Sequence, residues 1–75
     1  MVTKKRFHTI RELQEIQRIA SHCSGEVGLH SEDDTIIIDA KSYIGLYTLD
    51  FSKPVLVVSE VPEFHRSIMS IGENL

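Results

Sequence analysis

The chain has 75 residues, of which 41% are hydrophobic and 25% charged, and its net charge is −3. That length allows one domain, residues 1–75, with a core small enough to claim most apolar positions. The charge disfavours nucleic acid as a partner, and the one cysteine excludes an internal disulfide. No apolar run reaches the ~20 residues a membrane helix needs. With no apolar signal-peptide core at the N-terminus, the expectation is a soluble, cytoplasmic protein without a membrane partner.

Met1 to His8 suits a short strand, and its Lys4-Lys5-Arg6 cluster reads as a solvated strand start. Thr9 with Glu12 three residues later is a capping box, which starts a helix. Ile10, Leu13, Ile16, Ile19, Ala20 and Cys23 recur at three- and four-residue steps along it. Gly25 is placed to end that helix in a left-handed cap. Val27 and Leu29 alternate with polar neighbours in a half-buried strand, and Ser31 to Asp34 is a hairpin loop. Thr35 to Ala40 returns as a strand with Ile36, Ile38 and Ala40 on one face.

Ser42 then stands where a short helix would start, its hydroxyl suited to the free N–H groups of the first turn. Leu46 and Leu49, three apart, form one apolar stripe, and Tyr43, Ile44 and Tyr47 form a second. One stripe suffices to dock the helix on a sheet, so the other is a candidate binding surface. Pro54 opens an apolar strand, Val55 to Val58, and Ser59 to Pro62 turns the chain. Phe64, Ile68 and Ile71 mark a last helix with Gly72 near its end. The order β-α-β-β-α-β-α, with helices on one face of an antiparallel sheet, is a two-layer α+β sandwich. A ferredoxin-like sandwich has similar content.

The stretch Lys41-Ser42-Tyr43-Ile44-Gly45-Leu46-Tyr47-Thr48-Leu49, followed by Ser52-Lys53, resembles the regulatory-serine helix of the HPr family. These are the small histidine phosphocarriers of the bacterial sugar phosphotransferase system. Their pattern there is Lys-Ser-Ile-Met-Gly-Val-Met-Ser-Leu, then a loop and a strand. The likeness runs from about Glu26 to Val58 and implies an HPr-like open-faced sandwich, a four-stranded sheet in the order 1-4-2-3 with three helices on one face. It also implies that Ser42 is a regulatory phosphorylation site, and that Tyr43, Ile44 and Tyr47 match the exposed positions through which relatives meet protein partners.

The family's working motif, Gly-x-His-x-Arg-Pro at the start of the first helix, is missing in its defining form. Here the junction reads Phe7-His8-Thr9-Ile10-Arg11-Glu12. Thr9 stands at the acceptor position, Arg11 matches the arginine, and Glu12 adds negative charge. His8, one residue displaced, is the alternative phosphoacceptor, with Arg11 beside it; the simpler reading has His8 ending a strand before its Thr9 cap. For Ser42, likewise, the simpler reading is a plain helix cap.

Nothing resembles a nucleophile–base pair, a phosphate-binding glycine loop or a nucleotide fingerprint, and no Cys or His pair has zinc-ligand spacing. No enzyme activity, cofactor or metal is expected. Three functional readings remain. The first is a regulatory, protein-binding module using the Ser42 helix, its partner a phosphotransferase-system component or a transcription regulator by resemblance. The second is a phosphocarrier through His8. The third is a structural homodimer formed through the open sheet face.

Overall fold

The computed structural model describes residues 1–75. In chain order the elements are β1 (Val2–Arg6), α1 (Ile10–Ser21), β2 (Gly28–Ser31), β3 (Ile37–Asp39), α2 (Tyr43–Leu46), β4 (Val55–Val58), α3 (Pro62–Ser67) and β5 (Glu73–Asn74). The sheet is antiparallel throughout, in the order β3-β2-β4-β1-β5. Read from β1, the first four strands keep the expected order 1-4-2-3, and the correction is to the strand count, five in place of four. A fifth strand, β5, adds to the outer edge of β1. No helix is long and apolar enough to cross a membrane.

Register decides which face is wet. Leu29 pairs with Val57 and Ile38, and Val57 pairs with Thr3, so these side chains share one face. That face carries the core. Leu29, Ile38, Val55 and Val57 from the strands join Leu13, Ile16 and Ala20 from α1, Leu46 from α2, and Phe64 and Ile68 from α3 and its cap. Residues of opposite parity, Lys4, Leu56, His30 and Ile37 in one row, line a face that no helix covers.

The start of α1 agrees with its sequence signal. The Thr9 hydroxyl accepts from the Glu12 N–H, and the Glu12 carboxylate accepts from the Thr9 N–H. The end does not. α1 stops at Ser21 with His22 as a right-handed cap, and Gly25 has no positive φ. Gly25 serves close approach instead, because a Cβ there would lie 2.6 Å from Cγ2 of Val61. α3 begins with Pro62 in its first turn, where a missing N–H costs nothing.

Lys5 overturns the solvated reading of the basic cluster. It pairs with Val55 on the core face and is 0% exposed. Its Nζ donates to Oδ1 of Asn74 at 2.6 Å, the residue opposite it on β5. Burial lowers the Lys5 pKa, partly offset by the negative charge of Glu12. Lys4 and Arg6 do keep to the open face.

His65 is also buried, and it ties three elements together. Its Nε2 lies 2.8 Å from the Ser59 carbonyl oxygen, which can only accept, so Nε2 carries the proton. Nδ1 then accepts from the Thr3 hydroxyl at 2.6 Å. The network joins β1, the end of β4 and α3.

Candidate functional site: the short helix after β3

α2 is held from both ends. Before it, the Asp39 carboxylate accepts from the Lys41 N–H at 2.9 Å, and Ser42 N–H donates to the Asp39 carbonyl. Lys41 is tethered twice, to α1 and to the loop after α1. Its carbonyl accepts from Gln17 Nε2 at 2.9 Å, and its Nζ donates to the Cys23 carbonyl at 3.0 Å. Ser42 is the N-cap, its hydroxyl accepting from the Gly45 N–H at 3.2 Å. The regular helix is a single turn. Tyr47, Thr48 and Leu49 then continue in tighter three-residue turns, with the Thr48 hydroxyl on the Gly45 carbonyl.

Gly45 sets how close this turn sits to the sheet. A Cβ at that position would lie 2.4 Å from Cγ2 of Ile38 on β3. With the backbone pressed against β3, Leu46 and Leu49 reach the core and are buried. The second stripe is left outside. Tyr43 is 60% exposed, Ile44 82% and Tyr47 60%. Tyr47 Oη accepts a hydrogen bond from Gln14 Nε2 at 3.2 Å, which connects the stripe to the outer side of α1. Beyond it in the chain, Ser52 donates to the Asp50 carboxylate from both hydroxyl and backbone, and those bonds hold the Asp50 pKa below its usual range.

The junction before α1 is arranged differently from a phosphoacceptor site. The N–H groups of His8 and Thr9 both donate to Oε1 of Glu12, at 2.6 and 3.1 Å. The place where a helix N-terminus would stabilise a phosphoryl group therefore already holds a carboxylate. Those bonds, that of His8 foremost, lower the Glu12 pKa against the opposing effect of burial. The His8 ring is exposed, and its Nε2 meets Oε1 of Glu73 on β5 at 3.1 Å. Arg11 is exposed on α1 and has no ion-pair partner.

The geometry thus gathers Ser42, Tyr43, Ile44 and Tyr47 on one short segment, and it keeps His8 apart from them at the start of α1. The buried Lys5 and His65 fell outside the sequence expectations. Each had a signal, since Lys5 shares parity with Phe7 and His65 lies three residues before Ile68. Comparison with protein-family models, curated proteins and solved structures gives no match for this chain.

Proposed function

We propose that this chain is a non-catalytic, protein-binding regulatory module of HPr type that acts through the α2 surface. The observation that carries the reading is the exposed triad Tyr43, Ile44 and Tyr47 on one helical turn, beside a buried stripe that already docks the turn. A core this small gains from every apolar side chain it buries, so three large ones left in water have a cost that partner contact would offset. Tyrosine suits such a surface, with an apolar body and a polar tip. By resemblance, the partner is a component of the sugar phosphotransferase system or a transcription regulator.

Ser42 adds a control point in this reading. Its hydroxyl caps α2, and a phosphate there would sit at the start of the turn, next to Tyr43. Two negative charges at the edge of an apolar patch would weaken its contact with an apolar partner surface. Phosphoryl transfer through His8 is disfavoured because Glu12 occupies the backbone donors that would stabilise it.

The test is incubation with the general phosphotransferase enzyme and phosphoenolpyruvate, then binding assays with that enzyme and with a transcription regulator of the system. Wild type is expected to remain unphosphorylated and to bind one of the two. Ser42→Asp is expected to bind more weakly while still capping the helix. Acid-labile phosphate on wild type, absent from His8→Ala, would replace this reading with the phosphocarrier one.

A further inference from the structure

β1 carries the chain's only run of three basic residues, Lys4, Lys5 and Arg6. The Met1 carbonyl accepts from the Ser59 N–H beside β4, so alternation turns the backbone groups of Val2, Lys4 and Arg6 the other way, to the outer edge of β1. β5 fills only part of that edge. It pairs with Lys5 and Arg6, and the Leu75 N–H donates to the Lys4 carbonyl at 3.0 Å. Val2 has no strand opposite it there, and it is exposed. The far edge of the sheet is partly closed, because the outward Asp39 carbonyl of β3 accepts from the Ser42 N–H that leads into α2.

What β5 leaves unmet on this edge is positive charge. Glu73 stands opposite Arg6, yet its carboxylate turns to the His8 ring at 3.1 Å. Arg6 forms no ion pair, and its Nε is enclosed without an acceptor. The buried Lys5 ammonium meets an amide oxygen, Oδ1 of Asn74, and no carboxylate. β5 itself is lightly held. Its two residues are polar and exposed, Asn74 Nδ2 donates to the Met69 carbonyl at 2.9 Å, and both partners of the Glu73–His8 contact are more than half exposed. Exposed pairs of that kind contribute little, and segments with few buried contacts open at low cost.

We infer that the outer edge of β1 is a strand-addition site for an extended acidic segment of another protein, and that β5 covers the site when no such segment is bound. An unpaired edge is a template for a further strand, and main-chain hydrogen bonds supply the affinity of such additions. A segment added antiparallel in place of β5 pairs along the whole of Val2–Arg6 and not only at Lys5 and Arg6. Alternation then sets its side chains. An aspartate opposite Lys5 lies on the core side, where Asn74 now lies, and gives the buried ammonium a counter-charge. A glutamate opposite Arg6 lies on the open face and supplies the guanidinium with the acceptor it lacks. A β-branched residue opposite Val2 adds an apolar cross-strand pair. Glu73 and Asn74 occupy the first two of these positions, which makes β5 an internal competitor of the same general chemistry and weaker charge.

This edge lies across the sheet from α2, so the inference does not rest on the proposed function. The end-blocked peptide Gly-Glu-Asp-Leu-Thr-Val sets its Glu opposite Arg6, its Asp opposite Lys5 and its Val opposite Val2. Titrated to about 1 mM into the full chain and followed by nuclear magnetic resonance, it tests the site across the range of weak contacts. Backbone shifts are expected along Val2–Arg6, with faster amide exchange at Leu75 as β5 leaves. Arg6→Glu is expected to weaken binding roughly tenfold or more, with circular dichroism unchanged because Arg6 lies outside the core. Glu73→Ala loosens β5 and is expected to tighten binding, while Ile44→Glu is expected to bind like wild type. No shift at the highest concentration would overturn the inference, as would binding that leaves Leu75 exchange unchanged, equal binding by Arg6→Glu, or shifts confined to α2. A wild-type dimer that the peptide does not dissociate would give the edge to a second copy and overturn it too.

Discussion

Adding one methyl group at position 45 tests how α2 is seated. In an exposed helix, Gly→Ala stabilises by about 1 kcal/mol, because alanine loses less backbone entropy. Here the new Cβ would lie 2.4 Å from Cγ2 of Ile38, far inside the ~3.5–4.0 Å of ordinary carbon contact. Cγ2 is bonded directly to a β-branched Cβ, and Ile38 is buried, so it cannot swing away cheaply. Overpacking of this kind costs about 1–3 kcal/mol. The clash offsets or exceeds the propensity gain, so Gly45→Ala should destabilise by up to about 2 kcal/mol, which lowers Tm by ~4–8 °C per kcal/mol in a domain of this size. Urea denaturation monitored by circular dichroism reads it. The cycle with Ile38→Ala isolates the cause. Ile38→Ala alone should cost about 2–5 kcal/mol, and Gly45→Ala in that background should be neutral or stabilising. Stabilisation by Gly45→Ala in wild type would refute the close seating of α2 on β3.

Leu46→Ala should cost about 2–5 kcal/mol by thermal or urea unfolding, since Leu46 is buried in the core cluster. Asn74→Ala removes the acceptor of the buried Lys5 ammonium and should cost about 1–3 kcal/mol, although Asn74 itself is exposed. Asp33 accepts from the Ser31 and Thr35 hydroxyls, which hold its pKa down to about 2. A depressed carboxyl pKa contributes stability above its unfolded value, about 3.9, and loses it as pH falls towards about 2. Asp33→Asn should therefore flatten the acid limb of the stability curve in that window, lowering stability near pH 7 and making little difference below about pH 2. An unchanged acid limb would show that the hairpin bonds of Asp33 do not persist in solution.

The helix starts and the two stripes of α2 were legible because they are local. Thr9 and Glu12 cap each other across three residues, Ser42 caps its own turn, and the spacing of Leu46 and Leu49 fixes their common face. The missed features depend on distant chain. β5 is two polar residues, Glu73 and Asn74, with no strand propensity; it exists because β1 offers an edge, and Gly72, at φ 71°, turns the chain to meet it. Lys5 is inside because the chain alternates inward at Lys5 and Phe7, and Asn74 supplies an acceptor 69 residues away. Gly25 looked like a cap, but its neighbour is Val61, a contact visible only once α3 is in place.

The central claim is that the stripe Tyr43, Ile44 and Tyr47 serves binding and not folding. Its most direct measurement is Ile44→Glu, read for both stability and partner binding in the same preparation. Ile44 is 82% exposed, so the unfolding free energy should stay within about 0.5 kcal/mol of wild type, as for ordinary surface substitutions. Binding to the partner, a phosphotransferase component or a regulator under the proposed function, should be lost. A folded Ile44→Glu that binds as well as wild type would contradict the claim, and an unfolded one would place Ile44 in the core.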